Sequence, residues 1–216
     1  MANLQVTLLC DNPNSWFIPY IHILLNILQT VEHVKPVFIT NAQDIPHGDL
    51  AFFLSCEQII GRELLERNTH NLVIHESDLP KGKGWSPLTW QIIEGQNHIP
   101  ITLFEAEESV DSGDIYLQQV MKFQGHELLE ELHQKQGAYT IALVLDFIAK
   151  YPNITKRAQQ GTETFYPRRT PQDSELDPSC SLHDLFPLLR TVDNERYPAY
   201  FYKNNRKYVL KIYLED

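Results

Sequence analysis

A chain of 216 residues is long enough to bury a full hydrophobic core, and its 43% hydrophobic, 11% aromatic and 21% charged residues exclude a disordered or staple-held protein. Eighteen Lys and Arg against 28 Asp and Glu give 18 − 28 = −10 with histidine neutral, a field that repels phosphate polyanions, so nucleic acid is not an expected partner. Cys10, Cys56 and Cys180 are odd in number and form no CxxC pair, Ile21 to Leu28 is too short and too interrupted to span a membrane, and Met1 to Gln5 lacks a secretory layout. Together these predict a soluble cytoplasmic protein without a metal site or a membrane partner.

In chain order, β-rich runs at Leu4 to Cys10, Lys35 to Thr40, Leu50 to Ser55 and Leu72 to His75 alternate with helical stretches. That alternation predicts a mainly parallel, Rossmann-like sheet flanked by helices. Between the first two runs, Pro19 suits the first position of a helix whose buried stripe would be Tyr20, Leu24, Ile27 and Leu28. A shorter helix is predicted over Gly61 to Asn68. Another begins at Ser86-Pro87, with Ser86 as cap, Trp90 and Ile93 inward and Gly95 as stop. Strands follow at Pro100 to Phe104 and Asp114 to Val120, joined by an acidic loop, Glu105 to Gly113. A long helix is predicted from about Glu127 to Lys150, with Gly137 as a weak point.

After Pro152 the composition changes. Asn153 to Cys180 is polar and rich in Pro, Arg and Thr, as in an extended connection, before a helix at Ser181 to Arg190 and a hairpin from Ala199 to Leu214 around Asn204-Asn205. The expected division is residues 1–152 as the catalytic domain and 153–216 as a small helix-plus-hairpin segment. The hairpin's tyrosines serve either packing or pairing of two subunits into a homodimer.

His75 closes a buried strand and Asp111 lies in a loop between two later strands. Ligands of open parallel sheets collect at the carboxyl ends of the strands, so an imidazole and a carboxylate there are acid and base equipment facing a pocket. Around them stand Ser77, Leu79-Pro80, Gly84, Pro87 and Trp90, then Gly113 and Ile115.

These residues, in this order and spacing, resemble the folate-dependent formyltransferases. The likeness extends well over roughly residues 50 to 150. The run Gly84 to Trp90, together with Thr164-Phe165-Tyr166-Pro167-Arg168-Arg169-Thr170-Pro171-Gln172-Asp173-Ser174, is similar to the branch acting on nucleotide-linked amino sugars. The resemblance implies a sheet of the formyltransferase type and transfer of the formyl group of N10-formyltetrahydrofolate to a sugar amine. The amine must lose a proton before it attacks, and the resulting oxyanion needs donors. His75 would relay the proton or donate to the oxyanion; Asp111 would orient it or accept a proton from the amine. The family's Asn two residues before the histidine is Val73 here. Loss of such a donor costs ~10² to 10³ in rate, so water or His75 itself would have to replace it. Asn71 lies one pleat too far back.

For the donor, the resemblance implies main-chain groups and apolar walls from Gln58, Ile59 and Ile60 and from Glu107, Glu108, Ser109 and Val110. For the acceptor's phosphates the sequence offers Lys83, then Lys81. Asn12, Asn14 and Trp16 follow the first strand and are candidates for the nucleotide pocket, while Arg168 and Arg169 are expected to brace the tail. His70, His98, His126 and His133 share no metal-ligand spacing. The Val73-Ile74-His75 variant and the short chain look more like enzymes of nonulosonate synthesis such as the pseudaminic acid pathway, which implies a UDP-linked 4-amino-4,6-dideoxy-N-acetyl-altrosamine type of sugar. A dTDP-linked sugar, or a non-catalytic folate or nucleotide-sugar binding protein, is the alternative.

Overall fold

A computed structural model describes residues 3–215. Its central sheet has six strands in the order β2-β1-β3-β4-β6-β7: β1 Leu4–Leu9, β2 Val34–Ile39, β3 Gly48–Phe53, β4 Asn68–His75, β6 His98–Glu105 and β7 Ile115–Lys122. The pairs among the first four are parallel, whereas β6 runs antiparallel to both β4 and β7. Strand order reverses between β2 and β3 on either side of β1, the switch point at which a crevice opens beyond the strands' carboxyl ends.

The strands are apolar because both faces are covered. One face packs with α1 (Ile18–Thr30) and α4 (Leu129–Lys150) around Leu8, Leu24, Phe52, Leu72 and Phe147. The other gathers Leu9, Ile45, Ala51, Phe53, Ile60 and Leu64, the last on the single-turn helix α2, Arg62–Leu65. That helix is shorter than Gly61 to Asn68 because Asn68 already belongs to β4.

Several local expectations change. The fully buried line of α1 is Ile21, Leu24 and Leu28, while Tyr20 and Ile27 are only half-buried. In α3 (Pro87–Ile93) the inward residues are Pro87, Leu88, Gln91 and Ile92 rather than Trp90 and Ile93. Trp90 instead leans on the tail and its indole N–H donates to the Pro167 carbonyl at 2.9 Å. Ser86 does not cap that helix: it sits at φ 47° and its side chain makes no capping bond. Nor is Gly137 a weak point. A Cβ there would overlap the ring of Tyr20, so the missing side chain is what lets α1 and α4 approach. Helix α4 starts after Glu127, whose carboxylate accepts the main-chain N–H groups of Gln124 and Gly125 at 2.7 and 3.0 Å.

Residues 153–215 wrap the surface. β8 (Phe165–Tyr166) pairs in parallel with β5 (Lys83–Gly84), the turn that follows β4. α5 (Leu182–Leu189) is capped by Ser181, which accepts from Asp184 N–H at 3.2 Å. β9 (Ala199–Lys203) and β10 (Arg206–Leu210) form the hairpin, turning on Asn204 and Asn205 at φ 49° and 62°. This segment has its own apolar cluster of Leu176, Leu189, Val192 and Ala199. It is tied to the body by Arg190, which is 3% exposed and donates to the Glu127 carbonyl and carboxylate at 3.1 and 3.2 Å. Of the hairpin tyrosines, Tyr200 is buried and Tyr202 and Tyr208 are exposed. Among the described residues, no helix is long and apolar enough to cross a membrane.

Candidate active site

β4 carries His75 to the crevice. Its imidazole is buried, and Nε2 lies 2.7 Å from the Gly82 carbonyl oxygen. A carbonyl only accepts, so Nε2 carries the hydrogen and the neutral ring leaves Nδ1 as its basic atom. Asp111 Oδ2 stands 3.7 Å from Nε2, too far for a hydrogen bond, and accepts the Gly84 N–H at 2.8 Å. Imidazole and carboxylate therefore meet, but the turn from Gly82 to Gly84 holds both.

Asp111 is fixed by the loop between β6 and β7. It adopts φ 50°, a conformation that costs a non-glycine residue about 1–3 kcal/mol and persists where the surroundings impose it. The imposition is visible. Gln159 of the tail donates to the carbonyls of Asp111 and Gly113 at 2.8 and 2.9 Å. A Cβ on Gly113 would overlap the Glu105 carbonyl, which is why the returning strand needs glycine. Glu105 itself is no solvated loop residue. Its carboxylate accepts from Asn71 N–H at 2.6 Å and Tyr116 hydroxyl at 2.8 Å and lies 3.0 Å from His70 Nδ1. Asn71 is committed elsewhere, its amide donating to the Leu65 carbonyl at 2.8 Å.

His75 and Asp111 open on a cavity of about 550 Å³, within the usual range for a small-molecule site. Its floor is the end of the sheet, and it extends to both faces. On one side Cys56, Gln58, Ile60, Val73, Phe104 and Val110 form largely apolar walls; on the other stand Trp16, Leu132, His133, Gln136, Thr140 and Tyr197. Trp16 and His133 are stacked at 4.1 Å, and burial pushes the His133 imidazole down to about 4 against the pull of Asp193. Among the described residues, no group of three or more His, Cys, Asp or Glu side chains could hold a metal ion.

The family model described as formyl transferase matches residues 26–144, more than half of the chain. The chain belongs to the formyl transferase family. A methionyl-tRNA formyltransferase of Thermodesulfovibrio yellowstonii is 28% identical over 170 residues, covering 76% of this chain and 54% of that protein. The chain thus spans about half the length of that relative. The solved methionyl-tRNA formyltransferase of Clostridium thermocellum superposes with TM-score 0.81 at 21% identity, covering 100% of this chain and 94% of the other. A 4-N formyltransferase from Francisella tularensis gives 0.79 at 19% identity, covering 99% and 98%. At these identities the structures establish the fold.

In this family member the residues singled out from sequence divide. Gln58, Ile59, Ile60, Glu107, Ser109, Val110 and Trp16 line the cavity. Glu108 does not. Asn12 turns away to bond Glu57 at 2.7 Å and to accept the Asn14 N–H at 2.9 Å, which makes it a turn residue, and neither asparagine reaches the wall. Lys83 is 6% exposed and paired with Glu163 at 2.8 Å, and Lys81 is exposed outside the cavity. The cations at the mouth are instead Arg168, Arg169 and Arg196. Arg168 stacks on Trp85 at 4.5 Å and pairs with Glu57 at 2.8 Å, and Arg169 lies 5.9 Å from the Trp90 ring. Sequence reasoning missed Arg196, Glu76 and Gln136 as wall residues. Glu76 was within reach of it, since alternation at a strand end sends consecutive side chains to opposite faces.

Proposed function

We propose that the protein transfers the formyl group of N10-formyltetrahydrofolate to the amino group of a nucleotide-linked amino-dideoxy sugar, with His75 and Asp111 as the catalytic pair. The formyl transferase family uses formyl-tetrahydrofolate. The observation that carries the reading is the meeting of His75 and Asp111 at a cavity with an apolar side suited to a flat pterin and a mouth edged by arginines. Ile60, Val73, Phe104 and Val110 would hold the donor, which supplies the activated formyl carbon. His75 Nδ1 is the atom free to carry a proton, or as imidazolium to donate to the developing oxyanion where Val73 offers no amide.

The cationic mouth favours a phosphorylated acceptor. Arg169 and Arg196 take the place first given to Lys81 and Lys83 as partners of a diphosphate, since both border the cavity. A tRNA acceptor is the second reading, favoured by the relative of Thermodesulfovibrio yellowstonii, but a chain of net charge −10 opposes a polyanion of that length. Within the sugar class, a UDP-linked 4-amino-4,6-dideoxy-N-acetyl-altrosamine type of acceptor, as in nonulosonate synthesis, is the first candidate and a dTDP-linked sugar the second. The exposed Tyr202, Tyr208 and Val209 of the hairpin are proposed as the contact of a homodimer, to be read by the mass in solution.

The test is incubation with N10-formyltetrahydrofolate and a panel of UDP- and dTDP-linked amino sugars alongside methionyl-tRNA. A mass gain of one formyl group on a sugar nucleotide is the expected result. Formylation confined to the tRNA, or tight binding with no product at all, would reject it.

A further inference from the structure

The last residue of β4, His75, and the residue just beyond it, Glu76, line opposite sides of the cavity. Alternation sends Val73 and His75 to the face of the smaller apolar cluster and Leu72 and Ile74 to the face of the main core under α1 and α4. Glu76 continues the second series. It lines the same cavity as His75 but stands beside Gln136 of α4. The chemistry assigned so far uses only the His75 side, which leaves a carboxyl on the other wall without a role.

Three features mark this carboxyl as more than a surface charge. Glu76 is half-buried and forms no ion pair among the described residues. A carboxylate withdrawn from water without a cationic partner is unfavourable, so the site is incomplete without a cation or a proton. Its main chain is pinned, because Gln91 Nε2 donates to the Glu76 carbonyl at 2.6 Å and Thr102 Oγ1 to the next carbonyl, that of Ser77, at 2.7 Å. Burial pushes the carboxyl up from its ordinary value, opposed by His75 and Gln136 and reinforced by Asp111. The other titratable or charged groups on that wall are His133 of α4 and Asp193, Arg196 and Tyr197 of the segment after α5.

We propose that Glu76 is the receptor for the acceptor's amino group: its carboxylate binds the substrate ammonium and takes one of its protons, delivering a free amine across the strand end to the formyl carbon on the His75 side. This rests on the reading of the site as an amine formyltransferase. In balance, one N–H bond of the ammonium breaks and an O–H bond forms on Glu76. The nitrogen then bonds to the formyl carbon and the bond from that carbon to the donor nitrogen breaks. A second amine proton leaves the new amide and the donor nitrogen takes up one proton, with His75 Nδ1 placed to pass it. Glu76 returns its proton to water when the product departs.

The experiment compares wild type, Glu76→Gln and Glu76→Asp. Binding is measured without any formyl donor, using a nucleotide amino sugar and its counterpart bearing a hydroxyl in place of the amine. A charge-assisted bond to the ammonium predicts that wild type prefers the amine by ~10- to 100-fold at pH 7, and that Glu76→Gln loses this preference while binding the hydroxyl compound unchanged. kcat of Glu76→Gln falls by ~10² to 10⁴ at pH 7, and the deficit shrinks as pH rises through the ammonium's own pKa, where solvent supplies the free amine. Glu76→Asp retains part of both, and an unaltered Tm separates the effect from misfolding. Amine preference that survives in Glu76→Gln, or a deficit that does not change with pH, overturns the assignment of Glu76 alone. A wild-type protein that formylates no amino sugar overturns the amine reading, and the role of Glu76 with it.

Discussion

His75 Nε2 is held by the Gly82 carbonyl at 2.7 Å, while the nearer oxygen of Asp111 stands 3.7 Å away and anchors the Gly84 N–H instead. The two groups thus cooperate through a shared turn. Asp111 holds the Gly84 N–H of the turn whose Gly82 carbonyl engages Nε2, and that contact leaves Nδ1 as the other ring nitrogen.

His75→Ala should lower kcat by ~10² to 10⁴ with little change in Tm, because the role proposed for the lost group is acid-base and it lies at the edge of the core rather than serving as a packing element. Single-turnover transfer and a thermal melt on the same sample check it. Near-normal turnover would show that the proton travels elsewhere.

Val73→Asn should raise kcat and lower stability. Val73 packs against Leu79, Phe104 and Ile115 while also lining the cavity, so an amide there gains an oxyanion to serve but enters apolar surroundings. A cost of ~1–3 kcal/mol is expected in denaturant titration. An unchanged kcat would mean that another donor already serves the oxyanion.

The buried pair of Arg190 and Glu127 sets a pH limit on folding. Burial alone would raise the Glu127 carboxyl, but the N–H groups of Gln124 and Gly125 and the Arg190 guanidinium outweigh it and hold it at about 2. A carboxyl depressed in the folded state stabilises fully above its unfolded value, and that contribution is lost as pH falls from about 4.5 towards about 2. Urea midpoints should drop across that window, and less so in Glu127→Gln. Arg190→Ala, which leaves the buried carboxylate only Lys135 at 3.4 Å as a cationic partner, should cost ~1–3 kcal/mol at neutral pH.

Gly137→Ala tests the contact between α1 and α4. Helix propensity alone would favour alanine by ~1 kcal/mol, whereas overlap with the Tyr20 ring predicts a net loss of ~1–3 kcal/mol. A raised Tm would show that Tyr20 moves aside freely. In the double variant with Tyr20→Ala, the penalty of Gly137→Ala should disappear.

Much of this was legible in the chain. Strands of the parallel sheet announce themselves as apolar runs because both faces are buried, and the positions of His75 and Asp111 follow from strand end and loop. What escaped were contacts made by the tail. Trp90 looked like a core residue because its partner, Pro167, lies 77 positions away. Lys83 looked like a free cation because Glu163, which neutralises it, is 80 residues further on. Ser86 has the residue type of a cap but not the backbone, which is left-handed there and follows a turn paired with β8. Arg196 and Glu76 carry no motif; only the cavity's shape joins them.

The pairing of Lys83 and Gly84 with Phe165 and Tyr166 also orders events during synthesis. The turn that positions both Gly82 and Gly84 acquires its second strand only when a segment some eighty residues downstream has left the ribosome, and Gln159 secures the Asp111 loop at the same stage. A nascent chain arrested before that point holds the sheet's apolar strands without the contacts that fix the turn beside His75 and the loop of Asp111.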